Sequence, residues 1–596
     1  MSAWKSLSAT GVIAALLALS GCGGGGGGDT AMPAPPGPKL LACDDTLKAA
    51  FAPDTSTTVT LVKAFKRGDA LALSGTPASP APPAAAADLC LVKLRIGPGH
   101  PGPAGAPSTS AGIGIEAWLP AVAAWNRRIH VLGGAGWSGG IAISATTVIG
   151  DTHAAAVAAD ESAVTAVTDT GHTVTDGAFA MNPDGSINTV LWTDFSRRAT
   201  HEMTLKVKAL AAGFYGANPA HSYWDGCSTG GRQGLMEAQV DPGDFDGILA
   251  GAPAINWTQF TTAGMYPQVV MNLETGGPIT PAKQTAAGAA AINACDIRLT
   301  GAHDGYLSDP AACVYDPTAD LAVLCIASGG TNASSACLTA AEARAINKIW
   351  YGQTADGSAP PPAVDNGFNV TLAGNQLWYG LARGTDLTGL TGATPVDIGS
   401  DQVALNLQSP AYATPTFVNA TGNGGDKWKT LTYAGPNSIA GAFAQGLALD
   451  GAFGGINTDN PDLSAFRARG GKLILFHGLA DTLIPPQGSI GYYTRVAGVM
   501  GGFPNAQQFA RLFLVPGMGH CAFSGSVVAV NPGPPLPAPG QMYKVLVDWV
   551  ESGTTPSSII VGTSAGAPRS RPLCMYPTKL AYLGGDVNNA ANFSCQ

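Results

Sequence analysis

The pentapeptide Gly226-Cys227-Ser228-Thr229-Gly230 fits the pattern G-x-S-x-G, in which small residues let a strand turn sharply into a helix and leave the serine hydroxyl exposed. A serine in a glycine-rich turn is often a turn residue and nothing more. It becomes a nucleophile for acyl transfer when a histidine takes its proton and a carboxylate orients that histidine. Both partners follow in the chain, Asp481 in His477-Gly478-Leu479-Ala480-Asp481 and His520 in Pro516-Gly517-Met518-Gly519-His520. His477 is the competing base, but it lies so close to the preceding apolar run that a packing or supporting role beside Asp481 suits it better. A tetrahedral intermediate needs two backbone N–H donors. Thr229 supplies one by position, and Gly134, in the turn Gly133-Gly134-Ala135-Gly136, is the expected source of the other. Cys227 immediately precedes the serine and Cys521 immediately follows the histidine. A disulfide between them would hold their Cα atoms about 5.5–6 Å apart and bring Ser228 and His520 into one site. Ten cysteines can pair in about 945 ways, so bridges to other partners remain open from spacing alone.

Positioning these groups takes a sheet. Ile129-His130-Val131-Leu132 enters the glycine turn, Ser222-Tyr223-Trp224 precedes the serine, and a helix can follow from Arg232 to Val240. Lys472-Leu473-Ile474-Leu475-Phe476 leads to Asp481 and Leu512-Phe513-Leu514-Val515 leads to His520, both continuous apolar runs of the kind buried parallel strands show. Asp481 and His520 thus lie just past strand ends, where open parallel sheets place their ligands. The order Ser, Asp, His is the one α/β-hydrolases use. From Cys43 to about Trp257 apolar runs alternate with turns and amphipathic segments. From about 258 to 465 Gly, Thr, Asn and Ala dominate and four cysteines cluster between 295 and 337, after which the first pattern returns. The expected architecture is therefore α/β: a hydrolase core at 43–257 and 466–596 with a large inserted lid domain at 258–465.

The 596 residues include only 12% charged side chains against 45% hydrophobic ones, and 31 Lys+Arg face 40 Asp+Glu for a net charge of -9. That balance excludes nucleic acid as a general partner, because phosphate binding needs concentrated positive charge, and it excludes a coiled coil. Eleven cysteines suggest an oxidising compartment, and the odd number sets one apart. Lys5 followed by the apolar run Val12–Leu19 suits a signal-peptide core and is too short to span a bilayer. It ends in Leu19-Ser20-Gly21-Cys22, similar to a bacterial lipobox, so residues 1–22 are expected to be a lipoprotein signal with Cys22 lipidated. A plain secretory signal cut nearby is the alternative. Residues 23–42, rich in Gly and Pro, read as a flexible tether. Gly23 after the cysteine fits an outer-membrane or cell-surface destination; otherwise the chain is periplasmic or secreted.

The set Cys227-Ser228, Asp481, His520-Cys521 resembles the CS-D-HC signature of the tannase and feruloyl esterase family, which also includes a hydrolase of mono(2-hydroxyethyl) terephthalate. The block Tyr223–Ile248 (YWDGCSTGGRQGLMEAQVDPGDFDGI), continued by Gly251-Ala252-Pro253, is similar to the family's longest, and Thr168–His172, Asp462–Asp481, Arg511–Cys521 and Arg571–Cys595 extend the match. The resemblance implies a serine carboxylesterase acting on small esters of aromatic acids, with no organic cofactor. It also implies the bridges Cys43–Cys90, Cys227–Cys521, Cys295–Cys313, Cys325–Cys337 and Cys574–Cys595, which leave Cys22 over. A surface-anchored binding lipoprotein that keeps the fold without turnover is the rival of another class.

The family's lid commonly holds a structural calcium in a loop resembling C-D-x-x-D-G-x-x-D-G. The corresponding stretch, Cys295 to Tyr306, has one extra residue and carries Thr300 where a second Asp is expected. Asp296, Thr300 and Asp304 with the carbonyls of Ala302 and Tyr306 would form a weakened site; a metal-free loop is the alternative. For substrate, Trp378 and Arg383 in the lid are expected to stack on a ring and to bind a carboxylate or phenolic oxygen. Thr229 stands where the terephthalate-ester enzyme has an acidic residue, which favours plant phenolic esters.

Overall fold

The computed structural model describes residues 40–596 except 78, 149–152, 421, 523 and 529–532; Cys22 and the signal and tether up to residue 39 lie outside them. The two apolar runs expected as parallel strands do pair in parallel, with Leu475 opposite Leu512. They belong to a mixed sheet of nine strands: β1 (Thr57–Phe65), β2 (Leu89–Ile96), β3 (Ile113–Pro120), β4 (Arg128–Leu132), β5 (Val164–Thr168), β6 (His221–Cys227), β7 (Gly247–Gly251), β8 (Lys472–Gly478) and β9 (Ala510–Val515). The spatial order is β1-β2-β3-β5-β4-β6-β7-β8-β9. Pairing is antiparallel from β1 to β5 and parallel from β5 to β9. The parallel half carries the three strands that lead to Ser228, Asp481 and His520.

Side chains alternate across a strand, and the two faces of this half are both buried. Trp224, Leu475 and Leu512 pack on one face, with Val207 of α1 (Ala199–Tyr215) and Leu235 of α2 (Thr229–Val240). Tyr223, Ile474 and Phe513 point to the other, against Leu546 and Trp549 of α4 (Gln541–Ser552). Tyr493, in α3 (Pro486–Val499), joins the first face and fixes the helix that follows the Asp481 loop.

Among the described residues, 252–471, between β7 and β8, contribute no strand to this sheet. They build helices such as Trp257–Gly264, Ala340–Tyr351 and Asp397–Asn406, the second started by a Thr339–Glu342 capping box. Their core is aromatic and runs on into the hydrolase part: Trp257 lies edge-on to Trp137, 5.2 Å between ring centres, and Trp137 also meets Phe179, Trp192 and Phe195. Residues 40–596 form one compact unit. Among the described residues no helix is long and apolar enough to cross a membrane.

Candidate active site

Ser228 sits between β6 and α2 with φ 63° and ψ -123°, a conformation that costs a non-glycine residue energy and that only the surrounding structure can hold. Three backbone hydrogen bonds do so. The Ser228 N–H donates to the Gly251 carbonyl at 3.0 Å, and the Ser228 carbonyl accepts from Arg232 and Ala254, each at 3.0 Å. Glycine is required around it. A Cβ on Gly226 would lie 2.6 Å from the Gly230 carbonyl carbon, and one on Gly133 would lie 2.5 Å from the Gly230 Cα. The glycine turn after β4 therefore rests backbone to backbone on the turn that presents the serine. The Thr229 hydroxyl ties the two together by donating to the Gly136 carbonyl at 2.6 Å.

Asp481 is fully buried three residues past β8. Its Oδ1 accepts the N–H groups of Leu483 and Ile484, at 2.8 and 2.9 Å. Its Oδ2 faces His520 Nδ1 at 2.8 Å and His477 Nε2 at 3.1 Å. A carboxylate only accepts, so His520 carries its proton on Nδ1 and leaves Nε2 basic. His477 Nε2 also faces the Ile484 carbonyl at 3.0 Å, and its Nδ1 meets the Ser489 hydroxyl at 2.8 Å, so Nε2 carries the proton and Nδ1 accepts. Burial alone would push the Asp481 carboxyl up, but the hydrogen bonds from His477 and His520 hold it well below the usual carboxylate range. His477 thus supports Asp481.

The Cys227–Cys521 disulfide is present with its Cα atoms 5.9 Å apart, across a sequence separation of 294. It joins the residue before the serine to the residue after the histidine. The other four bridges are Cys43–Cys90, Cys295–Cys313, Cys325–Cys337 and Cys574–Cys595, as the resemblance implies.

Three expectations are corrected. The Gly134 N–H donates to Gln233 Oε1 at 3.0 Å, so it is already engaged and does not point a free donor at an oxyanion. Gln233 lies on α2, and its type and position in the sequence carry no signal that it would reach this turn. Arg383, placed in the substrate pocket by its type, is 5% exposed. Its guanidinium donates to the carbonyls of Tyr315, at 3.0 Å, and Asn366, and lies 5.4 Å from the Trp350 ring centre. Trp378 is 3% exposed and packs between Tyr379 of the lid and Gly488 of α3, so it is not open to stack on a ring. A cavity of about 500 Å³ lies between Tyr306, Phe368, Leu479, Pro516 and Arg571; neither Ser228 nor His520 lines it.

The lid loop keeps Asp296 and Asp304 buried, each 3% exposed. Asp296 Oδ1 faces His303 Nδ1 at 2.7 Å and Oδ2 accepts the Gly305 N–H at 2.9 Å. Asp304 Oδ1 lies 3.4 Å from Arg569 and 3.5 Å from Arg571, while its Oδ2 has no hydrogen-bond partner. The Thr300 hydroxyl is 3.4 Å from the Ala302 carbonyl, and Tyr306 is buried. A buried, unpartnered carboxylate oxygen near a second buried carboxylate fits a hard cation with oxygen ligands.

A mixed sheet of this order, a strained serine at the end of a central strand and a buried carboxylate paired with a histidine, past β8 and β9, define an α/β-hydrolase with an inserted lid. The model of the tannase and feruloyl esterase family matches residues 103–596. A probable feruloyl esterase of Arthroderma benhamiae is 36% identical over 529 residues, 87% of this chain and 88% of that one. Mono(2-hydroxyethyl) terephthalate hydrolase of Piscinibacter sakaiensis is 30% identical over 518 residues, 79% of this chain and 80% of that one. The crystal structure of feruloyl esterase B from Aspergillus oryzae superposes with a TM-score of 0.71 at 26% identity, covering 93% of this chain and 99% of that chain. The chain belongs to the tannase and feruloyl esterase family and is a carboxylic ester hydrolase. Its five disulfides fit an extracellular, oxidising location.

Proposed function

We propose that this protein hydrolyses esters of aromatic, phenolic acids through a Ser-His-Asp acyl-enzyme cycle. The observation that carries the reading is the Asp481–His520 pair, 2.8 Å apart, held beside Ser228 by the Cys227–Cys521 bridge. His520 Nε2 takes the Ser228 proton as Oγ attacks the ester carbonyl, and then gives it to the leaving alcohol. Asp481 stabilises the imidazolium in between. The Thr229 N–H, at the N-terminus of α2, faces the oxyanion with the helix dipole behind it. Water activated by His520 releases the acid. Thr229 favours feruloyl or galloyl esters over mono(2-hydroxyethyl) terephthalate.

The test compares kcat/KM for methyl ferulate, methyl gallate and mono(2-hydroxyethyl) terephthalate, with fluorophosphonate labelling of wild type and Ser228→Ala. Labelling of wild type alone and a preference for a phenolic ester are expected. No labelling of wild type, or equal labelling of both proteins, overturns the mechanism, and the first of these leaves the non-catalytic binding lipoprotein; a preference for the terephthalate ester overturns the substrate class. Asp296 and Asp304, with the Thr300 hydroxyl and the carbonyls of Ala302 and Tyr306, would hold a calcium whose part is structural, engaging the unpartnered Asp304 Oδ2 and bracing the lid loop; a Tm unmoved by exhaustive chelation overturns it. Lipidation at Cys22 predicts palmitate incorporation in a bacterial host that Cys22→Ser abolishes, and anchors the enzyme to the outer membrane or cell surface.

A further inference from the structure

At the end of α2 farthest from Ser228, three elements bring an imidazole and three carboxylates together. His201 comes from α1, Glu237 from the last turns of α2, Asp241 from its C-cap and Asp244 from the turn before β7. His201 Nδ1 lies 2.7 Å from Asp244 Oδ2 and 3.5 Å from Asp241 Oδ1. Ligand atoms of His201, Glu237 and Asp241 all fall within 4.8 Å of one another. Glu237 is 1% exposed. The Thr200 hydroxyl donates to its Oε1 at 2.5 Å, and its Oε2, buried among these groups, has no hydrogen-bond partner.

A buried carboxylate oxygen is normally matched by a donor or a cation. The fully buried Arg232, on the same helix, favours the Glu237 carboxylate by its charge, but its guanidinium donates to the carbonyls of Phe195 and Ser196 and not to Glu237. Lys208 donates to the Asp244 main-chain carbonyl, and Arg469 is occupied by the carbonyls of Pro242 and Phe245 and by Asp246. Among the described residues no donor reaches Glu237 Oε2.

We propose that His201, Glu237, Asp241 and Asp244 bind one divalent first-row cation, Zn2+ or Mn2+. One imidazole nitrogen with carboxylate oxygens suits these ions, whereas calcium prefers oxygen alone. Entry is open from the His201 and Asp241 side, whose side chains are 33% and 25% exposed, and Glu237 forms the buried wall. Binding at His201 Nδ1 requires that nitrogen to give up its proton, which passes to Nε2 or to solvent, and involves no change of oxidation state. The site lies about 18 Å from Ser228, the length of a 12-residue helix. Its role is to pin α1 to the far end of the nucleophile helix, so it acts on stability and leaves ester chemistry alone.

The test titrates full-length, chelator-stripped protein with ZnCl2, MnCl2 and CaCl2 by calorimetry and follows Tm. The expected result is one Zn2+ or Mn2+ per chain at micromolar Kd or tighter and a raised Tm. Glu237→Gln and His201→Gln should each weaken the transition-metal site at least tenfold, and Asp304→Asn should leave it unchanged. Asp241→Asn, at the exposed edge, serves if the buried variant fails to fold. No heat and no Tm change in wild type, or binding that persists undiminished in His201→Gln and Asp241→Asn, overturns the proposal.

Discussion

At the carboxyl ends of the parallel strands, the Cys227–Cys521 bridge brings the chain neighbours of Ser228 and His520, 294 positions apart in sequence, to a Cα separation of 5.9 Å; in the lid, Arg383, with the right chemistry for an aromatic acid, turns inward and holds lid carbonyls, and Trp378 is buried as well. The difference lies in what sets a side chain's direction. A residue just past a parallel strand is delivered to one edge by the hydrogen-bond register, whatever its type. In a segment of short helices and loops no register exists, and direction follows from which side chains must be buried and which carbonyls need a donor. An arginine there is as useful for holding stray carbonyls as for binding a ligand.

The largest effect that sharpens this contrast is at the edge. Ser228→Ala should lower kcat by about a million-fold and Asp481→Asn by about ten-thousand-fold, with little change in Tm for the serine variant; steady-state kinetics with a fluorogenic aryl ester checks both. Activity of Asp481→Asn within tenfold of wild type would break the edge side of the comparison. Next come the bridges. Replacing Cys227 and Cys521 by serine should lower kcat at least a hundredfold even where the protein stays folded, whereas replacing Cys325 and Cys337, a loop of sequence separation 12, should cost only stability, about 2–3 kcal/mol in urea melts. Equal kcat losses in the two pairs would erase the distinction.

Arg383→Met comes third. Because its guanidinium holds lid carbonyls, the variant should lose about 2–4 kcal/mol of stability with KM unchanged. A raised KM for an aromatic acid ester at unchanged Tm would return Arg383 to the pocket. The smallest effect is in the pH dependence of Tm. Burial pushes the lid residue Asp401 up to about 8, while the Gly177 N–H, 2.9 Å from its Oδ2, pulls the other way. A raised carboxyl contributes stability that is complete below its ordinary value and is lost as pH rises from there through about 8, so Tm should fall between the ordinary carboxyl range and about pH 8, and Asp401→Asn should flatten that fall. Asp481, held below its ordinary range, has the opposite sign: its contribution is present at neutral pH and fades only as acid drives it through its folded value. Melts from pH 3 to 9 on the two asparagine variants separate them.

The sequence was most legible where backbone dictates position. The two apolar runs and the cysteines flanking Ser228 and His520 led to a pair of parallel strands and a bridge that the fold contains. What could not be read was partnership. That Gln233 would take the Gly134 N–H depends on a side chain five residues past the serine curling back to a turn from another strand. That His201 would face Asp241 and Asp244 depends on how α1 lies against α2. Neither has a periodicity or spacing to announce it.

Where Gly133 meets Gly230, and Gly226 meets Gly230, the opposing atoms are backbone on both sides. A side chain at position 133 or 226 would run into backbone that no second substitution could shrink, whereas one at position 230 would meet its nearest atoms at 3.0 Å, a few tenths of an ångström too close. Libraries aimed at new substrates should therefore hold Gly133 and Gly226 fixed.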